Sequence, residues 1–158
     1  MMKELEEEFS QLFTAMFSGF GLPELSLRVL ALLYLEPGEL AMDEIAGRTG
    51  YSLASISTTM KTLENAGFAQ RRKRPATRKI FFSMDKSLAK INIRRLQAAQ
   101  RHVIDPAKQG IPCIIEKFAA RAKDERSRQQ LKIIESYHRQ LAVFETLIAK
   151  WTKELDRP

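Results

Sequence analysis

The sequence predicts a mainly α-helical chain in which three short helices lead into one β-hairpin, with further helices at both ends. Three observations carry this prediction. Apolar residues recur at three- and four-residue spacing over most of the length. A glycine turn followed by a serine separates two of the helices. Two β-capable runs flank a proline-containing turn.

The elements follow in order. Leu5, Phe9, Leu12, Phe13, Met16, Phe17 and Phe20 form a broad apolar stripe on a first helix, which Gly19, Gly21 and Pro23 bring to an end. Four Phe on so short a helix suit a core or an interface between copies, and the acidic polar face does not suit a membrane surface. A second helix spans Leu25 to Tyr34, with Leu27, Leu30, Ala31, Leu33 and Tyr34 apolar, and Glu36-Pro37-Gly38 closes it. A short helix from about Asp43 to Thr49 turns Ile45 and Ala46 inward, and Gly50 supplies the turn. Ser52 is a natural N-cap for the next helix, which reaches about Asn65 before Ala66-Gly67 stops it.

Phe68 to Lys73 and Arg78 to Met84 then flank Arg74-Pro75-Ala76-Thr77 as a hairpin. Asp85 is placed to cap a further helix carrying Leu88, Ile91, Leu96, Ala99 and Val103. Asp105-Pro106 and Gly110-Ile111-Pro112 are expected to interrupt or kink it, leaving a piece from about Cys113 to Arg121. A long last helix follows Lys123-Asp124-Glu125. It sets Ile134, Leu141, Ile148 and Leu155 at one heptad position and Tyr137, Phe144 and Trp151 at the other, a pattern for helix-on-helix packing. The expected division is an N-terminal helix (1–24), a core of helices and hairpin (25–84) and a helical C-terminal region (85–158). No internal repeat or low-complexity tract is present.

Charge is distributed unevenly. Lys and Arg outnumber Asp and Glu by 26 to 19, a net +7 that favours polyanionic partners. Residues 1–24 carry five Glu against one Lys, residues 25–84 nine basic against five acidic residues, and residues 85–158 sixteen against nine. The first helix is therefore no DNA arm; the basic surface belongs to the middle and the C-terminal part.

The stretch from Asp43 to Met84 carries the functional expectation. A helix-turn-helix needs a small residue at the helix crossing, a glycine in the turn and apolar anchors in the second helix. Ala46, Gly50 and the trio Ile56, Met60 and Leu63 meet those needs. The opposite face of the second helix holds Ser52, Leu53, Ala54, Ser57, Thr58, Lys61 and Thr62. These are mostly small and hydroxylated residues, suited to a major groove about 12 Å wide. The hairpin adds Arg71, Arg72, Lys73, Arg74, Arg78 and Lys79, with Thr77 in its turn, for the phosphate backbone or a narrow minor groove. Together they make a winged helix-turn-helix, three helices plus a β-hairpin wing, directed at double-stranded DNA. The competing reading is a nonspecific architectural DNA- or RNA-binding winged helix.

The run LRVLALLYLEPGELAMDEIAGRTGYSLASISTTMKTLENAGFAQRRKRPATRKIFFSM resembles the winged-helix core of the MarR superfamily, and within it the GbsR-like branch. The most telling pieces are MDEIAGRTG, SISTTMKTLENAGF and the basic wing. The resemblance implies a homodimer held by N- and C-terminal helices of both copies, with two winged helices reading half-sites of a roughly palindromic operator. It makes Ser52 to Asn65 the recognition helix and Gly67 to Met84 the wing. Many members repress, and some respond to a small-molecule effector bound between the dimer interface and the DNA-binding domain. Leu53 departs from the pattern, because family members often carry a polar residue there; it is left for a thymine methyl or for no base. The segment from Ala107 to Lys123, broken by Gly110 and Pro112, departs as well.

Other chemistries find little support. No Gly-rich phosphate loop, His-Cys-Asp set or metal-ligand spacing is present, so no enzyme activity, cofactor or metal is expected. The aromatic row Tyr137, Phe144 and Trp151 reads as a packed seam rather than a cation-binding cage, and His138 as structural. Cys113, the only cysteine, sits among Ile111, Ile114 and Ile115 and reads as an inert buried thiol. One cysteine, no leader-like N-terminus and no long apolar run imply a cytoplasmic protein without a membrane partner, and the resemblance implies a prokaryotic, nucleoid-associated one.

Overall fold

The computed structural model describes residues 2–157, apart from the side chains of Met2 and Phe20. The elements are α1 (Met2–Phe17), α2 (Glu24–Leu35), β1 (Leu40–Ala41), α3 (Met42–Thr49), α4 (Leu53–Asn65), β2 (Gln70–Lys73), β3 (Ile80–Ser83), α5 (Leu88–Ala99), α6 (Asp105–Ala119) and α7 (Glu125–Leu155). A short 3-10 turn follows α1, and a π-helical turn, Gln100–Ile104, joins α5 to α6. Two compact units result, Met1–Ile91 and Asn92–Pro158. The architecture is the mainly helical winged helix that the sequence predicts, with terminal helices present.

In the first unit, α2 is the central core helix. Leu27, Val29, Leu30, Ala31 and Leu33 are all almost fully buried, because α2 lies between α1, α3, α4 and the sheet. Ile45, Ile56, Met60, Leu63 and Phe82 close the same core. From α1, Phe13 packs against it, and the Phe9 ring stacks on Tyr34 at 6.0 Å between centroids. Leu5, Leu12 and Met16 of the same stripe remain exposed.

The sheet has three strands, ordered β1-β3-β2 and antiparallel throughout. The sequence shows only the hairpin β2-β3. β1 is two residues long, too short for any alternation to register, yet it pairs Leu40 with Phe82 and Ala41 with Phe81. This ties the wing to the segment just before α3. The α3 start is fixed by Glu44, whose carboxylate accepts the Ala41 N–H at 2.7 Å.

Two expected features are corrected in the helical remainder. Asp85 does not cap α5: it accepts a hydrogen bond from the Gln70 side chain at 2.9 Å, and Ser87 occupies the capping place, accepting from Lys90 N–H at 3.4 Å. The prolines also do not break the helix. Asp105 N–H donates to Gln100 O, five residues back, and this widened turn makes room just before Pro106, whose ring would crowd a regular helical turn. α6 then continues through Gly110 and Pro112. Both residues are exposed, so water can satisfy the carbonyl that Pro112 leaves without a donor.

In the second unit Ile104, Leu141 and Ile148 form the core, with Leu96, Ala107 and Ile111 against them. Only the Ile/Leu row of α7 packs inward. Tyr137, Phe144 and Trp151 stay about half exposed, at 51, 54 and 47%, so within this chain they are not the packed seam that their spacing suggests. Cys113 is exposed rather than buried: it lies on the solvent side of α6, and its apolar neighbour Ile114 is exposed too.

Candidate nucleic-acid interface

The helix-turn-helix is set by its turn. Gly50 adopts φ +77°, the left-handed region that side chains disfavour, and its N–H donates to Ala46 O at 2.9 Å to close α3. Two residues later Ser52 Oγ accepts the Ser55 N–H at 3.2 Å and starts α4. Ile56, Met60 and Leu63 are fully buried, which fixes the roll of α4 about its axis.

That roll sends the predicted residues outward. Ser52, Leu53, Ala54, Ser57, Thr58 and Lys61 are all exposed. Thr58 Oγ1 donates to Ala54 O at 3.1 Å, and Thr62 Oγ1 to Thr58 O at 3.2 Å. These two hydroxyls spend their protons on their own helix and offer acceptor lone pairs to the outside. The side chains of Ser57 and Lys61 have no hydrogen bond among the described residues, so their donors are available to a partner. Leu53, 54% exposed, gives the face one apolar contact of the kind that meets a thymine methyl. Tyr51, exposed next to the cap, extends this surface and is absent from the sequence-based set. Its position directly before an N-cap serine is the signal that was available.

All seven predicted wing residues are exposed, and they divide by pairing. Across β2 and β3, Arg71 lies opposite Phe82 and Lys73 opposite Ile80, while Arg72 lies opposite Phe81. On the Phe81 side the Arg74 guanidinium sits over the ring, 4.1 Å from its centroid, and donates to Glu39 at 3.1 Å. Arg72 Nε approaches the same carboxylate at 3.9 Å. Lys79 Nζ meets Asp43 at 2.7 Å. That hydrogen bond holds the Asp43 carboxyl below its ordinary range and raises the Lys79 ammonium. Thr77 works within the turn: its hydroxyl accepts the Lys79 N–H at 3.1 Å. Arg71, Lys73 and Arg78 have no ion-pair partner among the described residues. Glu39 and Asp43 read as ordinary surface acids in sequence, and only the folding of β1 beside β3 shows them as wing partners.

A recognition-type helix and a basic hairpin on one three-stranded sheet are thus present in one unit. Residues 20–80 match the MarR family model. The match runs from the 3-10 turn after α1 to the first residue of β3. A solved crystal structure of a transcriptional regulator is similar over 96% of this chain and 99% of its own, with a TM-score of 0.66 and 23% identity, a likeness of fold. No curated protein matches the chain. Among the described residues no group of three or more His, Cys, Asp or Glu is placed to hold a metal ion, and no helix is long and apolar enough to cross a membrane.

Proposed function

We propose that the protein is a sequence-specific transcriptional repressor that binds double-stranded DNA as a homodimer. α4 enters the major groove with Ser52, Leu53, Ala54, Ser57, Thr58 and Lys61, and the wing lies on the backbone or in the minor groove through its basic residues. The observation that supports this most is the α4 surface. One face is locked into the core by Ile56, Met60 and Leu63, and the other is narrow, exposed and hydroxylated beside a basic hairpin. On the motifs of α3 and α4 we assign the chain to the GbsR-like branch.

The dimer uses the terminal helices, the segments 1–24 and 85–158 flanking the DNA-binding core 25–84. The exposed rows Leu5, Leu12, Met16 and Tyr137, Phe144, Trp151 are the apolar surfaces such an interface requires. The reading places the protein on the nucleoid in a prokaryotic cytoplasm, with a small-molecule effector of unassigned chemistry as a further partner.

Fluorescence anisotropy with the duplex upstream of the protein's own gene tests this, against a scrambled duplex between about 50 and 200 mM salt, where phosphate-driven binding changes steeply. Binding at least a hundredfold tighter to the native duplex is expected. Equal affinity for both, falling together with salt, establishes the architectural reading in its place.

A further inference from the structure

Six wing cations do not present six equal charges to DNA. Arg74 is folded back along the sheet, stacked on Phe81 and hydrogen-bonded to Glu39, and Arg72 lies 3.9 Å from that carboxylate while it donates to the Gln70 side chain at 3.2 Å. Lys79 is joined to Asp43. Glu39 directly precedes β1 and Asp43 lies in the first turn of α3, so both acids are held by the backbone that leads into the helix-turn-helix, not by the hairpin itself. Glu39 is the less exposed member of its pairs, with 28% of its side chain accessible, against 55 and 56% for Arg74 and Arg72. Asp43 and Lys79 are both about half exposed, at 48 and 57%.

We infer that Glu39 and Asp43 act as latches that withhold Arg72, Arg74 and Lys79 from phosphates, leaving Arg71, Lys73 and Arg78 as the wing's working contacts. The inference rests on the DNA-binding reading above and names how that site is tuned. An arginine already paired with a carboxylate and an aromatic face must give up both contacts before it meets a phosphate, and it releases no net counterion unless the carboxylate is left bare. Arg71 and Lys73 carry no such cost. They project from the outer strand of the sheet, opposite Phe82 and Ile80, and Arg78 lies beyond the turn, before β3. The latch sets the sequence-independent part of the affinity, so the groove contacts of α4 weigh more in the total.

The test is a salt titration of a scrambled duplex with the full chain, comparing the unmodified protein, Glu39→Gln, Asp43→Asn, the double variant, and Glu7→Gln with Glu8→Gln. The last pair matches the charge change of the double variant on exposed carboxylates of α1, outside the wing. Each cation released to a phosphate steepens the slope of log K against log salt by about 0.9. Glu39→Gln, which frees Arg74 and leaves Arg72 only its neutral bond to Gln70, is expected to steepen it up to about twice as much as Asp43→Asn, which frees one. The double variant approaches about 2.7 per winged helix and binds several-fold tighter at about 100 mM salt, while the α1 pair leaves the slope unchanged. Far-UV circular dichroism establishes that each variant is folded. Slopes in the wing variants that equal the α1 control, or weaker binding, overturn the latch while salt-dependent binding by the unmodified protein leaves the DNA-binding reading standing. No binding by the unmodified protein at any salt overturns both.

Discussion

Gly47 and Gly50 lie three residues apart, and an alanine at either meets no atom within 4 Å. They differ in backbone. Gly47 is inside α3 with an ordinary helical φ, whereas Gly50 closes α3 at φ +77°. The same added methyl should therefore act in opposite directions. At Gly47 it supplies helix propensity and restricts the unfolded chain, stabilising by about 0.5–1 kcal/mol. At Gly50 the left-handed conformation costs an L-residue roughly 1–2 kcal/mol, and with no clash to add, that strain is the main term. The two variants should differ by about 1.5–3 kcal/mol. With a urea m value of about 2 kcal/mol/M, their midpoints separate by roughly 1 M. Equilibrium urea denaturation at one fixed protein concentration is the assay, since any association shifts apparent stability by mass action. Shifts in the same direction, or a neutral Gly50→Ala, would refute the left-handed turn and with it the angle at which α4 leaves α3.

Three further outcomes follow from the same structure. Phe82 is 2% exposed and joins the sheet to the helical core, so Phe82→Ala should cost about 3–5 kcal/mol in urea denaturation, a large share of a domain's stability. Asp124 caps α7: the Ser127 hydroxyl and the Ser127 N–H, the latter at 2.9 Å, hold its carboxyl below the ordinary value. Because the folded value is the lower one, the cap's contribution is complete above about pH 4 and is lost as pH falls through the folded value. Asp124→Asn should keep a cap and remove that acid-dependent loss from thermal melts, while Asp124→Ala lowers stability at neutral pH as well. Trp151 is the only tryptophan and is half exposed in one protomer, so burial in the proposed dimer should blue-shift its emission as concentration rises. Phe144→Asp should abolish that shift and sediment as a monomer; a dimer that survives the substitution removes the aromatic row from the interface.

Much of the winged helix was legible because its signals are local or periodic. Ile56, Met60 and Leu63 announce a buried face by spacing alone, and Gly50 and Ser52 mark the turn and the cap by their own chemistry. The elements that were missed depend on neighbours far along the chain. β1 exists only because Leu40 and Ala41 find Phe82 and Phe81 forty residues on. Asp85 looks like a cap until Gln70, across the hairpin, takes its carboxylate. Pro106 and Pro112 resemble breaks, but a π turn absorbs the first and solvent exposure tolerates the second. The exposed face of α4 was readable as the complement of its buried one. The partition of wing cations was not, because Glu39 and Asp43 precede the cations they hold by more than thirty residues and gain their meaning from the sheet.

Selection from a pool of randomised duplexes by the full-length protein tests the central claim most directly. The account predicts an enriched consensus of two inverted half-sites whose centres are about one helical turn, roughly 10 base pairs, or a multiple of it apart. It also predicts that Ser57→Ala with Lys61→Ala changes the bases preferred within each half-site, while Arg78→Ala weakens binding and leaves the consensus intact. A pool that emerges with no consensus, or a consensus indifferent to the α4 changes, would contradict the reading of α4 as the recognition helix.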